Sequence, residues 1–132
     1  LAAAKGTNVD IYVTTFFVEG SNDSQVIDFV DGFRDYLNSN STAKTNNGGD
    51  DEIAAVSAMG FDAYYTALEA MKNAGSVKPE AILAALPTTT YKGVSGSIAF
   101  NEIGDAIRDV AYIKKVNTST GKWEFVAQQT VK

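Results

Sequence analysis

The residues best placed to do chemistry are acids. Between Gly96 and Val116 the chain reads GSIAFNEIGDAIRDVAYIKKV, which sets Glu102, Asp105 and Asp109 close to Asn101 and Gly104, with Glu124 further on. Such a stretch could be a metal loop, a carboxylate acid/base pair, or a turn between two strands. A calcium loop needs oxygen ligands at alternate positions, a glycine at the sixth and a glutamate at the twelfth. Here Ile103 falls on a ligand position, so the match fails. A catalytic carboxylate pair must be held about 5–9 Å apart in a cleft, which sequence neighbours in a turn rarely achieve. The spacing therefore predicts a tight turn, with Gly104 at positive φ and the Asp105 side chain bonding the backbone.

Three further constellations have a structural and a functional reading. Asp50-Asp51-Glu52 either caps a helix N-terminus, where carboxylates gain from the dipole, or binds a metal. Asn46-Asn47-Gly48-Gly49 is either a flexible lead-in to that helix or a backbone nest for an anion. Asp62, in GFDAYY, faces solvent, bonds a neighbouring loop, or lines a cleft with Phe61 as an apolar wall. Phe16-Phe17 closes the first strand, at the end where α/β sheets bind ligands, although two aromatics there also suit a core.

Other chemistries are excluded by composition. The chain has no cysteine and no histidine, which removes zinc fingers, CxxC redox pairs and Cys/His or Ser/His/Asp nucleophiles. Its 11 basic residues are scattered, Lys114-Lys115 is the only adjacent pair, and the net charge is -5. Nucleic acid is not an expected partner, because phosphate binding needs clustered cations. Hydrophobic residues make up 45% of the 132, ordinary for one globular domain. No apolar run approaches the roughly 20 residues of a membrane helix. No metal and no cofactor is implied.

Elements must hold these side chains. LAAAKG reads as the last turn of a helix with Gly6 beyond it, so the chain is expected to be a mature or cloned piece of a longer protein. Val9 to Val18 (VDIYVTTFFV) reads as a strand buried on both faces, as in parallel sheets. Ser24 to Ser39 carries Val26, Phe29, Val30, Phe33, Tyr36 and Leu37 at helical spacing, with cap candidates at Ser21 to Ser24. Asn38 to Gly49 reads as a loop. Asp50 to Ala74 reads as a long helix capped by Asp50 or Asp51 and ended by Gly75. Its expected apolar stripe comprises Ile53, Val56, Ala63, Tyr64, Ala67, Leu68 and Met71. Lys78 to Leu86 is a short helix with Pro79 at its first position. Tyr91 to Phe100, Val110 to Asn117 and Lys122 to Ala127 read as strands, the last two joined by Asn117 to Gly121. The class is α/β: one strand, three helices, then strands.

These pieces, in order, resemble a family. YVTTFF, FVDGFRDYL, AAVSAMGFDAYYTALEAMKNAG, PEAILAALP, YKGVSGSIAFNEIGDAIRDVAYIKKV and GKWEFV are similar to the substrate-binding protein of branched-chain amino-acid (leucine/isoleucine/valine-type) ABC transporters. That family has the type I periplasmic-binding-protein fold. The resemblance spans almost the whole chain, which corresponds to the family's C-terminal third. It implies two flavodoxin-like, three-layer α/β lobes joined by three crossovers, with the ligand between them. Val9 to Phe16 and Val110 to Ala127 would belong to one lobe, and the helices from Ser24 to Leu86 to the other. The stretch around Glu102 is then a turn without chemistry.

The resemblance also implies a function. The protein would bind an amino acid, with a branched-chain one expected, and deliver it to an ABC permease. It would act on the extracellular side of the cytoplasmic membrane, in a periplasm or as a lipid-anchored surface protein, and would not be an enzyme. The family places an acid just before the strand matching Tyr12 to Thr15; Val9 aligns there and Asp10 lies one step along. An apolar wall comes from the start of the long helix, near Val56 and Phe61. The ligand-binding candidates are Asp10, Phe61 and Asp62. A piece of two lobes exposes apolar faces, which favours association, as a homodimer by strand exchange. The alternatives are a sensor domain of the same fold, a carboxylate enzyme, or an oligomerising module without ligand.

Overall fold

A computed structural model describes residues 1–108 and 110–130. Asp109, one of the acids considered above, lies outside the described residues. The chain opens with a 3-10 turn at Ala2–Ala4 and enters strand β1 at Tyr12–Thr15. It then leaves that sheet. Helix α1 spans Ser24–Ser39, short α2 Ser41–Asn46, long α3 Ala55–Ala74 and α4 Pro79–Ala85, which tightens into a 3-10 turn at Leu86–Thr88. Strands β2 (Tyr91–Gly93), β3 (Gly96–Phe100) and β4 (Ala106–Ile107) make a second, antiparallel sheet. The chain finally returns to its first sheet as β5 (Val110–Asn117) and β6 (Lys122–Thr130), in the order β1-β5-β6.

The core lies between α1, the start of α3 and the turn after β2. Phe17, Val26, Phe29, Val30, Ile53, Ala58 and Val94 are buried together, with Phe33, Ala55 and Phe61 packed against them. Phe17 meets Phe29 edge-on at 5.6 Å. α1 forms where its apolar spacing predicts, and the Asp23 carboxylate caps it by accepting from the Gln25 N–H at 3.0 Å.

Several elements differ from expectation for identifiable reasons. β1 is not a doubly buried parallel strand. It is the edge of an antiparallel sheet, paired among the described residues only with β5 (Tyr12↔Lys115 to Thr15↔Tyr112), and Tyr12 and Val13 are exposed. The expected loop from Asn38 contains α2, which the Asn40 side chain caps by accepting from the Ala43 N–H at 2.9 Å. A capped turn without an apolar face leaves no periodic trace. α3 begins at Ala55 rather than Asp50, because Asp50 turns its carboxylate onto the Glu52 N–H in a local turn.

The buried line of α3 is also not the bulky stripe. It is Ala58, Asp62, Thr66 and Ala70, while Val56 is 72% exposed and Tyr64 and Leu68 also face outward. Small residues at i, i+4 spacing let α4 and the β2–β3 hairpin approach closely. That hairpin replaces the single strand expected over Tyr91 to Phe100. In the Asn101 to Asp105 turn, Gly104 does take positive φ (90°). The side chain that bonds the backbone is Asn101, however, which accepts from the N–H groups of Ile103 and Asp105.

Candidate functional site

A trough runs between the face of the β1-β5-β6 sheet and the irregular lead-in to α3. It comprises two adjoining hollows of 410 and 400 Å³, which share Glu52, Ile53, Lys114 and Trp123. One wall is the sheet. Val13 on β1 is paired with Lys114 on β5, and Lys114 is paired with Phe125 on β6. Trp123, two residues before Phe125, shares that face. The other wall is Glu52 to Ala55, and Thr14 and Thr15 also line the first hollow.

The lead-in is fixed from behind. Glu19 accepts from the Ile53 N–H at 3.3 Å with one carboxylate oxygen and pairs with Arg34 of α1 through the other. Asn47 donates its amide to the carbonyls of Asp50 and Glu52. The Asn38 amide bonded to Asp51 holds that carboxyl below its ordinary value. The wall is therefore a braced loop.

The electrostatics of the trough are mixed. Lys114 and Glu52 make no side-chain hydrogen bond or ion pair among the described residues. α3 has Ala54 at its N-cap position, which supplies no side-chain cap, and no acid in its first turn. The positive end of a 20-residue helix thus stands beside the Lys114 ammonium, near the carboxylates of Glu52 and Asp50. The trough therefore gathers the start of α3, one lysine, the carboxylates of Glu52 and Asp50, and the apolar Ile53, Val13 and Trp123.

The three residues singled out from sequence lie in three places. Asp10 pairs with Lys115 at 2.6 Å and raises the lysine's pKa through that hydrogen bond. Lys115 alternates with Lys114, so this pair faces away from the trough. Phe61 lies between Phe29 and Tyr65, ring centroids 4.8 and 4.7 Å away, on a separate aromatic hollow of 590 Å³. Asp62 is fully buried; its carboxylate accepts from the N–H groups of Val94 and Ser95, each at 2.8 Å, and from the Ser95 hydroxyl. This is the bond to a neighbouring loop that one reading of the sequence anticipated. Lys114 and Trp123 line both hollows of the trough, and their only signals in the sequence are that they belong to the one adjacent basic pair and are the one tryptophan.

Among the described residues, no group of three or more acids could hold a metal ion, and no helix is long and apolar enough to cross a membrane.

No family model and no curated protein matches the chain. Among solved structures it is similar to the crystal structure of a leucine-binding protein, LivK, from Thermotoga maritima. The identity is 28%, the TM-score 0.65, and the match covers 96% of this chain and 31% of that one. The chain has part of the type I periplasmic-binding-protein fold. It spans less than a third of that neighbour's length, and it takes up that share with elements of two separate sheets.

Proposed function

We propose that this chain is the C-terminal third of an extracellular solute-binding protein, which binds an amino acid between two lobes and hands it to an ABC permease. The observation that carries the reading is the likeness, over 96% of the chain, to a leucine-binding protein. The topology supports it. β1 leaves one sheet, the helices and the β2-β3-β4 sheet follow, and β5 and β6 return to pair with β1. A chain that crosses out and back is what an element shared by two lobes requires. The trough lies where the two parts meet, and closure of one part on the other is the working motion. A branched aliphatic amino acid suits its groups: the ammonium on Glu52 and Asp50, the carboxylate on Lys114 and the start of α3, the side chain on Ile53 and Trp123. The role is binding, not catalysis, on the extracellular side of the cytoplasmic membrane.

Trp123 is the only tryptophan, so its emission reports on the trough directly. Titration with leucine, isoleucine and valine should change that emission saturably. The same ligands should raise the melting midpoint, as any ligand of the native state must. Lysine and glutamate serve as comparisons. A cooperative melt with no response in either signal would overturn binding by this chain.

A further inference from the structure

The trough's two walls belong to parts of the chain joined by two crossings, β1 to α1 and β4 to β5. One side chain ties both crossings to the helical part. The Arg108 guanidinium, just after β4, donates to the Ser95 carbonyl at 3.2 Å and to the Ser95 hydroxyl at 2.9 Å. It also lies 5.1 Å from the centroid of the Phe16 ring, the first residue after β1. The Ser95 hydroxyl donates in turn to buried Asp62 in the middle of α3. A continuous path therefore runs from one crossing, through Arg108, to the turn after β2 and the body of α3.

Arg108 suits a junction that must hold an angle. Its planar fork presents several donors in fixed directions and can stack on an aromatic ring at the same time, which a lysine cannot reproduce. The chain around it has room to move, because hollows of 280 and 450 Å³ flank it and Ala106 and Arg108 line both. The cation also stands one hydroxyl away from a fully buried carboxylate. Swinging it out would remove that compensation, so the clasped state is favoured over a loose one.

We propose that Arg108 is a positioning residue for the trough, a latch that sets the angle between the β1-β5-β6 sheet and the α1–α3 part. It touches no ligand; it acts through Ser95, Asp62 and Phe16. The proposal concerns geometry and stands whether or not the trough takes an amino acid.

The chain has no cysteine, so spin labels can be placed at Asp35→Cys on α1 and Gln128→Cys on β6, both exposed. Electron–electron distance measurements then read the angle directly. The parent should give a narrow distribution. Arg108→Ala should broaden it and shift its mean, with the helical circular dichroism kept, and Arg108→Lys should recover it only in part. Phe16→Leu, which leaves Ser95 and Asp62 untouched, should broaden it less than Arg108→Ala, and it decides the matter if Arg108→Ala does not fold. An unchanged distribution in a folded Arg108→Ala, or in Phe16→Leu where Arg108→Ala fails to fold, would overturn the latch. So would full recovery by Arg108→Lys, since any cation would then serve.

Discussion

A methyl group on Gly93 would overlap the Asp62 carboxyl group, its carbon and both oxygens alike. The last residue of β2 and the middle of α3 are therefore matched: the hairpin can reach the buried carboxylate only because position 93 has no side chain. Gly93→Ala must push the hairpin off α3 or displace Asp62 from the N–H groups of Val94 and Ser95. The expected loss is about 3 kcal/mol or more, at the upper end for overpacking. Asp62→Asn keeps the shape but turns amide hydrogens toward backbone donors, costing roughly 1–3 kcal/mol for each group left unmatched. Urea unfolding checks both. A Gly93→Ala protein as stable as the parent would show that the hairpin does not need this approach.

Asp23 links the start of α1 to β2. Lys92 donates to it at 2.6 Å, and that bond, followed by the one from the Gln25 N–H, lowers its pKa from the ordinary 3.8. The folded-state value is then below the unfolded one. Its contribution to stability is complete above 3.8 and is lost as pH falls through the folded-state pKa. Following the side-chain carboxyl by NMR should show this depressed midpoint, and Lys92→Met should bring it back toward 3.8. A midpoint unmoved by Lys92→Met would assign the shift to the cap alone.

How much of this was legible before the structure depends on whether the cause is local. α1 was readable from end to end, because its apolar spacing and its cap both lie within a few residues. So was the turn at Gly104. The break between β2 and β3 was not, since the acceptor that bends the chain at Val94 and Ser95 is Asp62, far away in sequence. The buried face of α3 departs from the bulky stripe for the same reason. Bulky residues suggest a core side, but the buried line is Ala58, Asp62, Thr66 and Ala70, small enough for α4 and the hairpin to approach, and Asp62 bonds the hairpin backbone. The trough collects Thr15, Glu52, Lys114 and Trp123 from separate elements, and no spacing rule joins them. The family resemblance pointed to a fold and did not locate these side chains.

If the trough takes an amino acid, its opposite charges should matter separately. Lys114→Met and Glu52→Gln should each weaken leucine binding about tenfold or more, the scale of one charge-assisted hydrogen bond. The pattern is more telling than the size. Lys114→Met should remove the discrimination between leucine and leucinamide, which lacks the carboxylate. Glu52→Gln should reduce the discrimination between leucine and its deaminated acid. Trp123 fluorescence titrations of the two variants against the three compounds check this. Uniform weakening across all compounds would mean that the charges are not reading the two ends of the ligand.

The last prediction concerns surface that this chain leaves uncovered. Among the described residues β1 has a partner on one side only, and Val9, Ile11, Tyr12 and Val13 leading into and along it are exposed. An open strand edge flanked by apolar side chains is a template for pairing with another chain. Outward-facing Val56, Tyr64 and Leu68 on α3 add a second apolar surface. The chain should therefore self-associate as its concentration rises, with β1 as the route to strand exchange. Val9→Lys with Ile11→Lys places charges beside that edge and should move the protein toward monomer, leaving the circular dichroism unchanged. Val56→Glu with Tyr64→Glu tests the α3 face in the same way. Sedimentation velocity separates the outcomes: relief by the first pair assigns association to the β1 edge, and relief by the second alone assigns it to α3. A parent chain that stays monomeric at every concentration would refute association through either surface.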